Sequence, residues 1–524
     1  MTPKEDPMRC LHHVLVALLA VTFLATTGAR ADTGPPAAPA RGSLVQNVPT
    51  RVLSISPSEF VSILQASGQG AQLLQLAGTP KCGIDIYKLQ YFTVGGAGES
   101  TTASGALMVP TGNDADCRGT RPVVIYAHGT MLDRNYDIAN ISASDNNEGL
   151  WAAAVFAAQG YVLIAPNYAG YDTSSLTYHP YVNADQQSKD TIDALTAARR
   201  ALPKAFAADT HDRGELFITG FSQGGHVAMA THRALQALGI PVTASAPISG
   251  PYALAAYADE LFAGRVDIYT PIYMTLVLNS YQHSYGNIYA SATDIVQARY
   301  ADSLDLLPTT NSDVFSQGAL PTLQVFATQP PAPQFASITP ATTPANIAPL
   351  FPYGFGPNHL ITNDYRLQYL LDALENPDGG WPTLTTGVPA ANPGSTLRQA
   401  LKANDLRDWS PVAPVMLCGG SGDLNFMNAL LMQQYWAAAR APTRISLLNI
   451  DSPPLPKGDP YASLKAGFAA AKAAIAADAV AHGATDGGTL AVLASYHLVL
   501  EEPYCLPAAR LFFEHQRHLK GRIP

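Results

Sequence analysis

One serine lies between two glycines in the stretch Gly220-Phe221-Ser222-Gln223-Gly224-Gly225. An apolar run at 216–219 precedes it, and residues 226–238 are compatible with a helix. A turn this tight, from strand to helix, forces the serine at its apex into an unfavourable backbone conformation, and only glycines fit two positions away on either side. The Ser222 hydroxyl would then be exposed above a sheet, where it could serve as a nucleophile.

The backbone near this serine also predicts a site for negative charge. Gln223 would open the helix, and its N–H would point at any anion that forms beside Ser222. A second N–H donor is expected from the loop after the apolar run 122–127, where His128-Gly129-Thr130 follows. Thr130 is the candidate for this oxyanion donor. We expect the ring of His128 to have a structural role, with hydrogen bonds to the backbone of its loop.

A serine hydroxyl is a poor nucleophile at neutral pH, so it needs a base, and the base needs an orienting carboxylate. Asp423 follows the buried strand expected at 412–418 through a short glycine-rich loop, and His497 comes after the last crossover. The chain order Ser222, Asp423, His497 therefore predicts nucleophile, orienting acid and general base. Other residues could fill the last two roles: Asp405, Asp408 and Asp451 for the acid, and His482, His515 and His518 for the base.

The elements that would position these residues are visible as apolar runs that alternate with helical patterns. Runs typical of strands buried on both faces occur at 122–127, 161–166, 216–219, 242–249, 412–418 and 445–450. Strands that alternate with helices in this way predict a mostly parallel sheet with helices on both faces. Segments 84–93 and 105–109 predict an antiparallel hairpin at one edge.

The alternation stops between residue 251 and about residue 400, where helical pieces and proline-rich loops follow one another. We interpret 251–400 as a lid inserted over the mouth of the sheet, and 51–250 with 401–524 as the α/β core. The insertion is rich in tyrosine, and we expect these rings to serve ordinary packing. The tyrosines are Tyr269, Tyr273, Tyr281, Tyr285 and Tyr289.

Composition and the N-terminus bear on partners and location. The formal net charge is −9, with 14% charged and 47% hydrophobic residues, which disfavours nucleic-acid binding and disorder. An apolar run at 11–24 is followed by Ala29-Arg30-Ala31, so we expect a signal peptide at 1–31 and a flexible leader at 32–50. An uncleaved anchor is the alternative, and Met8 is an alternative start. The mature protein would be exported, to a periplasm or beyond the cell, without a membrane span.

One of the five cysteines falls in the expected signal peptide, and an even number remains for disulfides. Four cysteines permit three pairings. We expect Cys82 to pair with Cys117 and Cys418 with Cys505, since the second bond would tie the loop of the orienting acid to that of the base. The cysteines do not have the spacing of a zinc site, and we expect neither a metal nor a cofactor.

These motifs resemble the α/β-hydrolase superfamily, in particular the exported bacterial and fungal lipases and esterases of the secretory lipase type. The matching segments are Ala127-His128-Gly129-Thr130, 165–171, His179-Pro180-Tyr181, 220–225, Gly422-Asp423 and Tyr496-His497. The resemblance implies hydrolysis of carboxylic esters, with 251–400 acting as a lid. The chain departs from the family in a longer link between Ile450 and His497.

Two alternatives remain for the function. The same triad would serve an amidase or peptidase, because only the pocket distinguishes these enzymes from esterases. A binding protein on an inactive hydrolase fold is the second alternative. It would not react with a fluorophosphonate, because it would lack an activated serine.

Overall fold

One mixed sheet organises the part of the chain that the structure describes. The computed structural model describes residues 39–67, 70–142, 147–205 and 210–520. In these residues the sheet has nine strands in the order β1-β2-β3-β5-β4-β6-β7-β8-β9. The strands are β1 (Thr50–Ile55), β2 (Gly83–Val94), β3 (Ser100–Thr111), β4 (Gly119–Ala127), β5 (Val162–Pro166), β6 (Thr210–Phe221), β7 (Ala244–Ile248), β8 (Val415–Gly419) and β9 (Ile445–Asn449).

The six strands from β5 to β9 in this order are parallel, and β1, β2 and β3 form the antiparallel edge. Every side chain of β5, β7 and β8 is buried, in agreement with their continuous apolar sequences. The predicted mostly parallel α/β fold is therefore confirmed, together with its antiparallel hairpin.

Helices cover both faces of the sheet. They are α1 (Pro57–Ala66), α2 (Gly70–Ala77), α3 (Asn147–Val155), α4 (Ala184–Ala205), α5 (Gln223–Ala237), α6 (Leu254–Phe262), α7 (Thr270–Tyr285), α8 (Asn363–Glu375), α9 (Thr396–Ala403), α10 (Phe426–Ala438), α11 (Ala462–Ala481), α12 (Thr489–Ser495) and α13 (Glu502–Lys520). Alternate residues of β4 face opposite layers: Val124 belongs to a core with α3 and α13, whereas Val123 belongs to a core with α4. This alternation follows from the period of two along a strand.

The insertion between β7 and β8, which we call the cap, consists of residues 251–400. It holds α6, α7, α8 and most of α9, joined by short 3₁₀ turns and loops. The cap has its own hydrophobic cluster, which also takes in Tyr181 before α4, Leu424 after β8 and Leu493 of α12. The cap therefore packs on three segments outside it.

The expected signal peptide at 1–31 lies outside the described residues, as does the first part of the expected leader. Later in that leader, the N–H groups of Gly42 and Val45 each donate to a carbonyl of β2 at 2.8 Å. Within the described part of the chain, none of the helices is both long and apolar enough to cross a membrane. Both expected disulfides are present, Cys82–Cys117 and Cys418–Cys505.

Candidate active site

The turn from β6 to α5 has the geometry that its sequence predicts. Ser222 at the apex has φ 57° and ψ −120°, and its N–H donates to the carbonyl of Ile248 at 3.0 Å. A Cβ atom at Gly220 or at Gly224 would collide with the carbonyl oxygen of Ala127 on the neighbouring strand. The two glycines are therefore required by this close approach, and the strained serine is held at the carboxyl edge of the sheet.

The structure brings the three residues predicted for catalysis together in one hydrogen-bonded line. His497 Nε2 lies 2.8 Å from Ser222 Oγ, and His497 Nδ1 lies 2.8 Å from Asp423 Oδ2. All three side chains are buried. Asp423 also accepts the backbone N–H of Asn425 at 3.0 Å, which fixes its orientation. This arrangement can transfer a proton from the hydroxyl to the imidazole while the carboxylate orients the ring.

His497 lies in a helix, and the expectation that it sits in a loop is wrong. Residues Tyr496–Glu501 form a π-helical turn between α12 and α13. Pro503 lacks the N–H that an α-helix would direct at the carbonyl of Val499. A π-helical turn at this point therefore gives up fewer α-helical hydrogen bonds than it would elsewhere. Phe221, next to the nucleophile, stacks on the imidazole with 4.8 Å between ring centroids.

The electrostatics of the site favour an ionic pair between His497 and Asp423. Burial by itself lowers the pKa of His497, but the charge and hydrogen bond of Asp423 prevail and hold it well above the usual value. Burial raises the pKa of Asp423, and the facing imidazole reverses this effect, so its pKa is lowered. The imidazolium that forms when His497 accepts a proton is therefore stabilised where it is made.

The two residues predicted as oxyanion donors follow the ends of β6 and β4. Gln223 is the first residue of α5, so the helix offers its N–H no partner. Thr130 follows β4, in a loop whose His128 carbonyl lies against the backbone of Gly224. Both N–H groups thus belong to chain segments that meet at Ser222.

Two residues of the His179-Pro180-Tyr181 segment hold these donors in place. His179 Nδ1 donates to the carbonyl of Ala169 at 2.9 Å, so Nε2 is free to accept the side-chain N–H of Gln223 at 2.6 Å. Burial lowers the pKa of His179 to about 3, which keeps the ring neutral and able to accept. The hydroxyl of Tyr181 bonds that of Thr130 at 2.8 Å. This segment matched the family in the sequence, but no hydrophobic periodicity indicated that its side chains would contact Gln223 and Thr130.

His128 has the structural role that we expected. Its ring nitrogens face the carbonyls of Gly129 at 2.7 Å and Asn167 at 3.2 Å. Burial lowers its pKa to about 4. The next N–H, that of Gly129, donates to Glu148 at 2.8 Å. The loop that carries Thr130 is therefore fixed by buried hydrogen bonds.

A second carboxyl faces the imidazole, and sequence reasoning missed it. Glu501 is completely buried, with Oε2 3.5 Å from His497 Nδ1 and Oε1 2.5 Å from the N–H of Gly420. The spacing of four residues between His497 and Glu501 on a helix was the signal that could have revealed it.

The alternative acids and bases lie elsewhere. Asp405 pairs with Arg407, Asp408 with Arg233, and Asp451 with Lys472. His482 is exposed at the end of α11, and His515 and His518 lie on α13. None of these side chains is hydrogen-bonded to Ser222 or His497 in the described residues.

A pocket opens beside Ser222 and extends under the cap. Its cavity volume is about 50 Å³, and its walls are mainly apolar. Ser222, Gln223 and Asn425 form the end at the elbow, and α6 and α7 supply most of the rest. The tyrosines of the insertion divide between packing and this wall: Tyr273 lines the pocket, whereas Tyr281 is buried in the cap cluster.

Asp423, His497 and Glu501 are the described residues whose side-chain atoms come close enough together to be considered as metal ligands, all within 4.8 Å. Nδ1 of His497 and Oδ2 of Asp423 are in direct hydrogen-bond contact, so these two atoms already partner each other.

No family model and no curated protein matches the sequence. Solved structures do. A mutant form of the rice cell wall degrading esterase LipA from Xanthomonas oryzae is 26% identical, with a TM-score of 0.60, over 78% of this chain and 91% of that chain. A hydrolase from Legionella pneumophila is 17% identical, with a TM-score of 0.59, over 90% and 98% of the two chains, and shows the same fold. The fold predicted from the sequence is thus confirmed as that of the α/β-hydrolases, and the chain is similar to a solved esterase.

Proposed function

We propose that the protein hydrolyses carboxylic esters through an acyl-enzyme on Ser222, with His497 as general base and acid and Asp423 as the orienting acid. The observation that carries this proposal is the continuous hydrogen-bonded line from Ser222 Oγ to Asp423 Oδ2, at 2.8 Å for each link, beside an apolar pocket. The likeness to an esterase from Xanthomonas oryzae supports it.

The chemistry follows from these contacts. As Ser222 Oγ attacks the ester carbonyl, His497 Nε2 takes its proton, and the backbone N–H groups of Gln223 and Thr130 bind the oxyanion. His497 then gives the proton to the leaving alcohol, and water repeats the sequence to release the acid. Loss of one such oxyanion donor costs about 3 kcal/mol of transition-state stabilisation in comparable hydrolases.

The pocket favours an apolar acyl group over a charged or strongly polar one. Its walls include Leu254, Leu261, Met274 and Val277, which offer no charge. Apolar surface buried on binding contributes roughly 25 cal/mol per Å², so each methylene that enters the pocket should strengthen binding. Esters with apolar acyl chains are therefore the expected substrates, and the cap is the part of the molecule that selects them.

The test compares wild type with Ser222→Ala on p-nitrophenyl esters of increasing chain length. The variant should lose at least about 10⁴-fold in kcat, with an unchanged thermal unfolding temperature. Labelling by a fluorophosphonate should require Ser222 and His497. Retained hydrolysis in the alanine variant, or a wild type that neither hydrolyses esters nor accepts the label, would refute the proposal and favour a binding protein.

Amide hydrolysis is tested with the amide that matches the best ester. The proposal expects kcat/KM for the ester to exceed that for the amide, since the structure provides an apolar pocket at the elbow rather than charged groups that would hold a peptide. A preference for the amide would reassign the enzyme to the amidases.

We further propose that the protein is exported. The N-terminal pattern and the two disulfides support this, because disulfides persist in oxidising compartments. Sequencing of the N-terminus of protein collected outside the cytoplasm should begin at Asp32. A mature protein that still carries residues 1–31 would contradict cleavage at the Ala29-Arg30-Ala31 site.

A further inference from the structure

Glu501 is a buried carboxyl that the proposed proton relay does not use. Its side chain is completely buried, and Oε1 is occupied by the N–H of Gly420 at 2.5 Å. Oε2 lies 3.5 Å from His497 Nδ1, and no N–H or side-chain hydroxyl in the described structure donates to it. The proton on Nδ1 already belongs to the shorter bond with Asp423, at 2.8 Å.

Two ionised carboxyls around one buried imidazole would be poorly compensated, so one of them must carry a proton. Asp423 has the better support for a negative charge, since it accepts from the imidazole and from both nitrogens of Asn425. Glu501 accepts from one backbone N–H. The geometry therefore assigns the proton to Glu501, on Oε2, the oxygen to which no N–H of the described residues donates.

The pKa of Glu501 is shifted in the direction that this assignment requires. Burial, and then the charge of Asp423, raise this pKa well above its usual value, although the facing His497 opposes the shift. A hydrogen bond from Glu501 is among the causes that lower the pKa of Asp423. A protonated Glu501 can donate to the orienting carboxylate, and its other oxygen holds the N–H of Gly420, three residues before Asp423 in the same loop.

The π-helical turn explains how one segment supplies both groups. His497 and Glu501 are four residues apart in Tyr496–Glu501, so both side chains face the Asp423 loop. If Asp423 is removed, the main charge that keeps Glu501 neutral disappears. Glu501 can then ionise and accept the Nδ1 proton after a movement of less than about 1 Å, given hydrogen-bond distances near 2.8 Å.

We propose that Glu501 is a neutral positioning residue of the triad, which donates to Asp423 in the resting enzyme and replaces it as the orienting carboxylate when Asp423 is lost. This inference rests on the proposed function. Its test also uses fluorophosphonate labelling, which reports the activated serine without reference to the natural substrate.

Other ionisable groups surround this cluster and must be held constant in a pH experiment. They are Asp267 before α7, Glu148 of α3, Glu502 of α13, and the phenols of Tyr252 and Tyr496. Among them, Glu148 and Glu502 share the Tyr126 hydroxyl, at 2.6 and 2.7 Å. Substitutions at Asp423 and Glu501 leave all of these groups in place, so differences between variants report the pair.

The experiment is a double-mutant cycle of Asp423→Asn and Glu501→Gln, measured as kcat, KM and the rate of fluorophosphonate labelling. Asp423→Asn should lose about 10²-fold or less in kcat, whereas loss of an orienting aspartate without a substitute costs about 10⁴-fold. The double variant should show the larger loss with little change in KM. If Asp423→Asn does not fold, Asp423→Ala enters the same cycle.

Glu501→Gln by itself keeps a donor toward Asp423 and an acceptor for Gly420, so the acid limb of kcat/KM should stay within about 0.5 pH unit of wild type. A downward move of about 1 unit or more would show that Glu501 is ionised at rest. That result, or losses in the double variant that equal the product of the single ones, would overturn the inference. Labelling without ester hydrolysis would instead refute only the proposed function.

Discussion

The α/β core and the cap both bury ionisable side chains, but they compensate them in opposite ways. In the core, buried carboxyls meet phenols and backbone N–H groups: Asp190 accepts from Tyr91 at 2.8 Å, and Glu148 from Tyr126 at 2.6 Å. Burial raises the pKa of each to about 7. These carboxyls therefore ionise only near neutral pH, and the core compensates them through hydrogen bonds.

In the cap, several buried carboxyls are instead paired with guanidiniums. Arg398 bonds Asp259 at 2.8 Å and Asp372 at 3.0 Å, and Arg407 connects Asp378 of the cap with Asp405 of the core. Among the described residues, Arg366 has no carboxylate as a bonded partner and donates instead to Phe262 and other oxygens of the cap loops. An arginine can donate hydrogen bonds to several carbonyls of irregular chain at once. The carbonyls of a regular sheet already accept from neighbouring strands and do not need such a donor.

From this difference we expect the core to determine the catalytic rate and the cap to determine which substrates are accepted. The core positions the reacting groups by backbone geometry at the ends of strands, whereas the cap is held together by a few multivalent side chains. Disruption of the cap should therefore change stability or substrate range, and disruption of the core should change kcat. The predictions below test this division, from the largest expected effect to the smallest.

Arg407→Met should give the largest loss of stability. The guanidinium is fully buried between Asp378 and Asp405, and its removal leaves two buried carboxylates without a compensating cation. Breaking a buried pair in this way costs about 3–5 kcal/mol of unfolding free energy. The matched control is Arg233→Met, whose partner Asp408 is mostly exposed, with an expected loss below about 1 kcal/mol. Equal denaturation midpoints would contradict the role given to Arg407.

Val277→Trp should narrow the substrate range. Val277 lines the pocket on α7, so the indole would occupy the space of the distal part of an acyl chain. Hydrolysis of a long-chain ester should fall about 10- to 100-fold, corresponding to about 1–3 kcal/mol of steric cost, and acetate should change by less than about two-fold. Leu371→Trp, on an exposed position of α8, is the control. A uniform loss across chain lengths would show that the pocket does not select acyl groups.

His179→Asn should lower kcat about 10-fold with little effect on KM. Without its Nε2 acceptor, the side chain of Gln223 loses the 2.6 Å bond that fixes the first turn of α5, and the oxyanion donor becomes less well placed. The control is His232→Asn. His232 is a buried histidine of α5 whose ring is hydrogen-bonded to Ser245 rather than to Gln223. An increase in KM alone would point to substrate binding rather than to oxyanion stabilisation.

Glu260→Gln should have the smallest effect, on the pH dependence of stability. Burial raises the pKa of Glu260 to about 8, so between its unfolded value near 4.5 and pH 8 the folded state holds a proton that the unfolded state has released. Stability therefore falls as pH rises through this window. Between pH 5 and pH 8, the unfolding temperature of the variant should change by a few degrees less than that of wild type. An unchanged slope would exclude Glu260 as a contributor.

The core was predictable from the sequence because its signals are local. Apolar runs identified the parallel strands, and the spacing of Gly220 and Gly224 around Ser222 identified the turn. Asp423 could be chosen over its rivals because it follows a buried strand directly. His497 could also be chosen from the sequence. Its π-helical turn could not be predicted, since that turn depends on how α12 and α13 pack and on the missing N–H of Pro503.

The remaining features of the site depend on contacts between distant segments. Glu501 faces the imidazole only because the loop of Asp423 packs against the turn before α13, and His179 meets Gln223 across 44 residues of chain. No periodicity encodes such contacts. The cap was even less visible, because its short 3₁₀ turns and buried arginines follow no repeating pattern.

The sequence by itself determined the fold class and the strained serine, because strand patterning and the steric demands of a tight turn act between near neighbours. The tertiary structure alone decided which carboxyls are buried deeply enough to have raised pKa values, which side chains meet at the elbow and how the pocket is lined. Those properties depend on burial and on the distance between groups, and both arise only when the layers of the molecule pack together.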